Sequence, residues 1–225
     1  MSFNVIGVGP GDSELLTVKA VRIIKEADVI IVPVKKADTT DSVALTIAKP
    51  YIEDLTKVAY YYFPMFHGFD KDAETLKMFE SHGQRINGLI AEGKKVVFLT
   101  LGDPSIYSTY AYVNQYVSEV TYVPGIPSFI NGAALLGQPL VLGDESLCVL
   151  NMTDDEAGIR HKFLCHESIV VMKVSANQKL LKQVIIDGNR KATFMSNIGL
   201  ENESITRDLH VLDKKMPYFT IALIR

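Results

Sequence analysis

A glycine, an aspartate and a proline stand together near the middle of the chain, at residues 102–104. They follow a run of strand-forming residues at 96–99 and precede apolar residues that recur with helical spacing from Ile106 to Val117. The pattern predicts a strand, a tight turn and a helix, with the aspartate as the N-cap and the proline at the first helical position. In open parallel sheets, ligands bind just outside the carboxyl ends of the strands, which is where this turn would lie.

The carboxylate of Asp103 has two interpretations that the sequence leaves open. As an N-cap followed by proline, the aspartate needs no further role. At the ligand edge of a sheet, it can also hold a hydroxyl or an amine of a ligand. Tyr107 would lie one turn into the predicted helix, whereas Tyr110 and Tyr112 are more typical of core residues with one polar tip. Asp103 and Tyr107 are therefore the first candidates for chemistry.

A second group of glycines, GVGPGD at residues 7–12, follows a predicted strand. A dinucleotide-binding fingerprint requires G-x-G-x-x-G and an acidic residue at the end of the second strand. Here the third glycine comes one residue early, Pro10 intervenes, and the second strand ends in Val34, Lys35 and Lys36. Lysines at that place suit a 2′-phosphate, so an NADP-dependent oxidoreductase stays open, as does a tight turn without any ligand.

The remaining reactive residues form no recognisable site. The five histidines lack ligand spacing, so no metal site is predicted. The chain contains neither a G-x-S-x-G elbow nor a Walker loop, which disfavours covalent hydrolysis and nucleoside triphosphate chemistry. Cys148 and Cys165 form no C-x-x-C motif and are predicted to be buried free thiols.

The composition is typical of a globular protein with a real core. The 225 residues are 48% hydrophobic and 22% charged, enough for one large or two small domains. A net charge of −3 argues against nucleic acid as a partner. The longest apolar run, at residues 29–34, is too short for a bilayer span, and the first residues do not resemble a signal peptide. We therefore expect a cytoplasmic protein with no membrane partner.

Predicted strands and helices alternate along the chain, which indicates an α/β fold. Strands are predicted at residues 3–8, 29–34, 57–63, 96–99 and 120–123, with helices at 15–27, 42–48, 70–92 and after 104. Beyond Gly125, strands are predicted at 147–150, 169–173, 192–195 and 219–224, and helices at 158–164 and 178–186. The first part predicts a mostly parallel sheet with helices on both faces. We place the domains at residues 1–124 and 125–225.

Three motifs occur in a fixed order: GVGPGD at residues 7–12, LTLGDPSIYST at 99–109 and VPGIPS at 123–128. In this combination, and over essentially the whole chain, the sequence resembles the tetrapyrrole (corrin and porphyrin) methyltransferase family. GVGPGDSELLTVKA, the segment at 63–65 and GDPSIYSTYAYV are most similar to the family's C-20 methyltransferases of cobalamin synthesis, which act on precorrin-2 or on cobalt-factor II.

The resemblance implies a homodimer and two α/β domains, the first with a mostly parallel sheet and the second with a mixed sheet. It also implies that S-adenosylmethionine binds in the cleft between the domains. The residues that match the family's cofactor positions are Pro10, Leu101, Gly102, Asp103, Ile106, Pro127, Ser128, Met172, Ile198 and Thr220. Met172 matches the apolar residue that packs on adenine. Pro127 departs from the usual Thr or Ser and removes one backbone donor.

The implied reaction transfers a methyl group to C-20, a meso carbon of the tetrapyrrole, and catalysis would consist mostly of positioning and exclusion of water. A proton must then leave C-20, and Asp103 and Tyr107 are the candidates for its acceptor. The macrocycle carries many carboxylates, so we predict that Lys35 and Lys36 help hold acetate or propionate groups, and a solvated loop is the alternative interpretation of these lysines. Cobalt would arrive only as part of the substrate.

Three other functions stay open at this point. Another member of the same family would methylate a different ring position or take part in making diphthamide on a protein. An NADP-dependent oxidoreductase would bind a nicotinamide cofactor and not S-adenosylmethionine. A non-catalytic tetrapyrrole carrier would bind the macrocycle without needing S-adenosylmethionine.

Overall fold

The computed structural model describes residues 3–64, 72–153 and 155–225. The chain divides into two compact units, Met1–Pro127 and Ser128–Arg225. Met65 and the predicted helix start at Asp70 lie outside the described residues.

The first unit alternates strands and helices. Its strands are β1 (Phe3–Gly7), β2 (Val29–Val34), β3 (Val58–Tyr62), β4 (Val96–Thr100) and β5 (Thr121–Val123), and its α-helices are α1 (Val18–Glu26), α2 (Val43–Ala48) and α3 (Ala73–Ala91). Thr17, Ser42 and Asp72 cap the three helices with side-chain oxygens, which fixes where each helix begins. Within the described residues, none of the helices combines the length and the apolarity that a membrane span requires.

The five strands form one parallel sheet in the order β3-β2-β4-β1-β5. One face is covered by α1 and α2, whose apolar residues pack on Ile6 and Leu99. The other face is covered by α3 and by the segment after β4, which pack on Val5 and Phe98. Helices therefore lie on both faces of a parallel sheet, as the sequence predicted.

The strand order creates a switch point between β1 and β4. From β1 the chain passes β4 to reach β2, whereas from β4 it passes β1 to reach β5. The two neighbouring connections leave in opposite directions, and this opens a crevice outside the carboxyl ends of β1 and β4. The order differs from the 3-2-1-4-5-6 arrangement of the dinucleotide-binding fold, in which β1 is the neighbour of β2.

The second unit is built on a mixed sheet in the order β6-β7-β10-β8-β9. The strands are β6 (Leu147–Asn151), β7 (Ser168–Met172), β8 (Ala192–Ser196), β9 (Ser204–Thr206) and β10 (Thr220–Ile224), and the helices are α4 (Ser128–Leu135), α5 (Glu156–Cys165) and α6 (Gln178–Asp187). Because β10 is antiparallel to both β7 and β8, its first residue lies at the same edge as their carboxyl ends.

The predicted helix after Pro104 is wrong. Residues 104–107 form a turn and a bend, Ser108 is extended, and only the short 3₁₀ segments Thr109–Tyr112 and Asn114–Tyr116 follow. Tyr107 has a positive φ of 50°, which a continuous right-handed helix does not allow, and Ser108 provides the cap instead of Asp103. The helical spacing of Tyr110, Val113 and Val117 reflects their common burial against the sheet.

Three further features of the second part were missed or misjudged. Neither α4, whose residues include Gly132 and two alanines, nor the short edge strand β9 was predicted from the sequence. Both cysteines are free, but Cys165 is exposed at the end of α5 and Cys148 is only partly buried. The prediction that the thiols are buried is therefore wrong for Cys165.

His82 of α3 is buried among aromatic rings in the first unit. Its ring lies 4.7 Å from that of Tyr61 and 5.2 Å from that of Phe63, and Nε2 is 2.9 Å from the carbonyl oxygen of Tyr62. A carbonyl only accepts, so Nε2 carries the proton, and Nδ1 has no partner among the described residues. Burial, with a smaller contribution from Arg85, lowers the pKa of His82 below its usual 6.5.

Folding therefore favours neutral His82, and we expect the free energy of unfolding to fall as the pH drops below about 6.5, because the unfolded chain then binds a proton that the folded chain resists. His82→Gln keeps a donor for the Tyr62 carbonyl but does not titrate, so its unfolding free energy should depend less on pH between 7 and 5. Urea unfolding at several pH values measures this. The exposed His161→Gln is the control, and equal slopes for the two variants would contradict the assignment.

Candidate functional site

The loops after β1 and β4 pair with each other at the switch point. Gly9 and Gly102 form an isolated antiparallel bridge, with the amide of Gly102 donating to the Gly9 carbonyl at 2.8 Å and the reverse bond at 3.2 Å. Both glycines have positive φ, 79° and 68°. Because the two backbones use the left-handed region, they can turn back toward each other directly beyond the strand ends.

Three backbone segments meet at this bridge. A Cβ on Gly7 would lie 2.6 Å from the amide nitrogen of Gly125, and one on Gly125 would lie 2.7 Å from the carbonyl carbon of Gly7. No side chain fits between these segments. A Cβ on Gly102, in contrast, would meet nothing closer than the Cα of Pro127 at 3.9 Å. The space in front of Gly102 is therefore open, while the space behind Gly7 is filled by backbone.

Asp103 holds two of these segments together. Its Oδ1 accepts from the amide and the hydroxyl of Ser105, and its Oδ2 accepts from the amide of Gly125 at 2.9 Å. The residue is only 9% exposed. The carboxylate thus shapes its own turn and ties the loop after β4 to the loop after β5, which makes Asp103 a positioning residue within the described structure.

Tyr107 is half exposed, whereas the tyrosines that follow it are packed. The hydroxyls of Thr100 and Ser108 are 3.0 Å apart in the interior, and they hold the strand end against the segment that carries Tyr107. The left-handed backbone of Tyr107 turns its ring outward, so that it is 50% exposed. Tyr110 is fully buried, and burial raises the pKa of its hydroxyl well above the usual range. Tyr110 is therefore a core residue, as predicted.

The structure brings most of the predicted residues of the first unit to the same edge. Pro10 is buried in the loop that pairs with Gly102, and Leu101 and Ile106 are partly buried on either side of Asp103. Pro127 approaches Gly102, as described above. Lys35 and Lys36 are exposed at the carboxyl end of β2, the neighbour of β4.

The predicted residues of the second unit gather at one edge of the mixed sheet. Met172 ends β7, and Thr220 begins the adjacent β10. The Thr220 hydroxyl is 2.8 Å from that of Ser196 and donates to the carbonyl of Pro217 at 2.7 Å. Thr220 and Ile198 are only 1% and 4% exposed, so both residues are packed within the second unit. Ser128 is the partly buried first residue of α4.

Two strained residues at this edge escaped the sequence analysis. Lys173 directly follows β7 and Asn197 directly follows β8, and both have a φ of 53°. The two strands lie on either side of β10, and left-handed backbone of non-glycine residues at strand ends is typical of functional loops. The motif Asn-x-Gly at 197–199 is a signal for the second of these turns, because Asn tolerates this region better than most residues. Nothing in the sequence marks Lys173.

The first-unit edge has the chemistry of a site for a polar ligand without phosphates. It offers backbone amides and carbonyls of glycine loops, an open face before Gly102 and partly buried apolar side chains. It has no long glycine-rich loop with a lysine of the kind that cradles phosphates. Such a surface suits a ligand that is held by backbone hydrogen bonds and apolar contact.

Comparison with known proteins gives a consistent picture. The model of the family Tetrapyrrole (Corrin/Porphyrin) Methylases matches residues 2–210. A probable cobalt-precorrin-2 C(20)-methyltransferase of Methanocaldococcus jannaschii is 38% identical, with 98% of this chain and 94% of the relative covered. A precorrin-2 C(20)-methyltransferase of a Sinorhizobium species is 30% identical, over 97% of this chain and 93% of the relative.

Solved structures share the fold. The methyltransferase CobJ matches with a TM-score of 0.71 at 17% identity, covering 99% of this chain and 93% of its own. A uroporphyrin-III C-methyltransferase of Thermus thermophilus complexed with S-adenosyl homocysteine matches with a TM-score of 0.65 at 18% identity. The match covers 100% of this chain and 97% of the other chain. The two-unit α/β architecture, with a parallel and a mixed sheet, is thus the architecture of these enzymes.

The glycine contacts predict different costs for the same substitution. Gly7→Ala forces apart two backbone segments and should lower the free energy of unfolding by on the order of 3 kcal/mol, the upper end for overpacking. The Cβ added by Gly102→Ala meets open space. This variant should therefore lower the free energy of unfolding by only about 1–2 kcal/mol, because alanine is strained in the left-handed region that Gly102 occupies. Urea unfolding of each variant measures these values.

Gly88→Ala is the matched control, because Gly88 lies inside α3 with nothing within 4 Å of the added Cβ. It should stabilise the protein by about 0.5–1 kcal/mol. Equal costs for Gly7→Ala and Gly102→Ala would show that the close approach at the switch point is not what requires glycine.

Proposed function

The chain belongs to the tetrapyrrole (corrin/porphyrin) methylase family, and we propose that within it the protein transfers a methyl group from S-adenosylmethionine to C-20 of precorrin-2 or of its cobalt-bearing counterpart. The observation that supports the ring position is the similarity, at 30–38% identity over more than nine-tenths of each chain, to relatives named for that carbon. The product would be an intermediate of cobalamin biosynthesis.

The switch-point edge fits S-adenosylmethionine. This cofactor has no phosphate, and its amino acid part and ribose need hydrogen-bonding groups such as the backbones of Leu101 and Gly102 and the loop of Pro10. The open face before Gly102 leaves room for a ligand against bare backbone. When bound, the cofactor supplies a methyl group on a sulfonium that an electron-rich carbon can attack.

We propose that the predicted residues of the second unit complete the cofactor site. Met172 would pack on the adenine, and the backbones of Ile198 and Thr220 would bond to its polar edge. Ser128 would contribute from the start of α4, with Pro127 and Ile106 as apolar contacts.

Two residues of the loop after β4 have different proposed roles. Asp103 already accepts from Ser105 and Gly125, so its contribution is to hold the loops in the geometry that binds the cofactor. Tyr107 lies four residues further along and is half exposed, and we propose that its hydroxyl accepts or relays the proton that leaves C-20. Catalysis otherwise rests on orientation and on the exclusion of water.

We further propose a cytoplasmic homodimer whose partners are the tetrapyrrole and a second copy of the chain, with neither nucleic acid nor membrane. The net charge of −3 agrees with the absence of a nucleic-acid partner. Any cobalt would enter with the macrocycle as part of the substrate.

An anaerobic assay tests the function directly. The protein is incubated with S-adenosylmethionine bearing a labelled methyl group and, separately, with metal-free precorrin-2 or cobalt-factor II. We expect mass spectrometry to show one added methyl group and NMR to place it at C-20. The substrate that is methylated faster shows whether the enzyme acts on the metal-free or on the cobalt-bearing macrocycle.

Methylation at another ring carbon would keep the family activity and overturn the C-20 assignment. Transfer to a protein acceptor instead would point to the diphthamide branch. Binding of the macrocycle without any transfer would indicate a carrier, and binding of NADP without S-adenosylmethionine would overturn the proposal altogether.

Tyr107→Phe should lower kcat by about a hundredfold or more while leaving the affinity for S-adenosylmethionine unchanged, because loss of a proton-transfer group costs about 10²–10⁴ in rate. The kcat–pH profile of the wild type should lose one limb in the variant. Tyr112→Phe, in the same segment but partly buried, is the control. An unchanged kcat would remove Tyr107 from the proton path.

Replacing Lys35 and Lys36 together with Ala should raise the KM for the tetrapyrrole about three- to tenfold, since exposed ion pairs contribute up to about 1 kcal/mol each. The salt dependence of this KM should weaken, whereas kcat and cofactor affinity should not change. Lys77→Ala, an exposed lysine on α3, is the control. If the double variant keeps both the KM and its salt dependence, the two lysines do not bind substrate.

A further inference from the structure

A second crevice lies at the opposite end of the first-unit sheet from the glycine loops. It has a volume of about 280 Å³ and is lined by Asn4, Lys19, Arg22, Ile23, Glu26, Lys95, Val96 and Val97. Asn4 is near the start of β1, and Val96 begins β4. The crevice is therefore at the amino ends of the two strands whose carboxyl ends form the switch point, roughly 15 Å away for strands of this length.

The lining is rich in positive charge. Lys19, Arg22, Ile23 and Glu26 recur at three- and four-residue spacing, so they share one stripe of α1 that faces the crevice. Lys95 adds a third cation from the residue before β4. Three cations and one carboxylate leave the lining with two excess positive charges.

Glu26 lies between two of these cations. Its Oε1 is 3.3 Å from the guanidinium of Arg22, and its Oε2 is 3.8 Å from Nζ of Lys95. All three side chains are about half exposed, and ion pairs of this kind are weak. Lys19 has no ion pair within the described part of the chain. The cations are therefore available to a stronger anion than the Glu26 carboxylate.

Asn4 is the least expected residue of the lining. It is only 6% exposed on an interior strand of the parallel sheet, and its carboxamide has no hydrogen bond to any described side chain or backbone group. Because the carboxamide lines the crevice, a molecule bound there can reach its amide nitrogen. A ligand with acceptor oxygens would satisfy the amide nitrogen at the floor of the crevice.

We propose that this crevice binds a small oxyanion of the phosphate or carboxylate class, held by Lys19, Arg22 and Lys95 with Asn4 donating from the floor. Glu26 competes for the same cations, so it sets the affinity. The volume is below the roughly 300–1,000 Å³ of pockets that hold drug-sized ligands, which favours a small anion or one anionic group of a larger molecule. This site is separate from the proposed cofactor site and does not depend on the proposed function.

Calorimetric titration with inorganic phosphate, and separately with citrate, tests the site at low ionic strength. We expect Arg22→Gln and Lys95→Gln each to weaken binding up to about fivefold, because ion pairs of half-exposed side chains are weak. Asn4→Leu should also weaken it. Glu26→Gln should tighten it, because the internal competitor is removed. Tighter binding of phosphate than of citrate would identify a phosphate group as the natural anion, and tighter binding of citrate would identify a carboxylate.

Two matched controls separate a site from general surface charge. Lys25 lies on the same helix but pairs with Glu53, and Lys94 is the neighbour of Lys95, and neither lines the crevice. Lys25→Gln and Lys94→Gln should leave binding unchanged. The proposal is overturned if these controls weaken binding as much as Arg22→Gln and Lys95→Gln do. It is also overturned if neither anion binds to the wild type or to Glu26→Gln.

Discussion

The first unit depends on the backbone contact between the loops after β1 and β4. Gly9 and Gly102 exchange hydrogen bonds just beyond the strand ends, and the bare backbones of Gly7 and Gly125 close on them from behind. Strand order makes this place special, because β1 and β4 are neighbours whose connections leave in opposite directions. A ligand at this crevice meets polar main-chain groups held in fixed positions, and the sheet provides their rigidity.

The Asp103 carboxylate fixes the conformation of the loops beside this contact. By accepting from Ser105 and Gly125, it fixes the turn that follows β4 and the loop that follows β5 with one side chain. The hydroxyl pair of Thr100 and Ser108 then anchors the continuation of the chain, and Tyr107 is left with an exposed ring on a left-handed backbone. A positioning acid and an exposed phenol thus lie within one short segment, which suits a reaction that needs orientation more than reactive side chains.

The two ends of the same sheet have different chemistry. The carboxyl ends of β1 and β4 carry glycine loops that present backbone groups. The amino ends carry Arg22, Lys95 and the carboxamide of Asn4. In a parallel sheet, all the strands begin at one edge and end at the opposite edge. The two edges therefore carry different connecting loops, and a single sheet can support two separate binding surfaces.

The sequence by itself determined the strand periodicity and the motifs that identify the family, because these are local or are recorded in residue identity. It could not determine the course of the chain after Pro104. The spacing of Tyr110 and the residues that follow it satisfies both a helix and a turn segment buried on one side, and only packing against the sheet decides between them. The close approach at Gly7 and the crevice around Asn4 likewise arise from residues distant in sequence. Strand order brings them together, and tertiary structure alone sets that order.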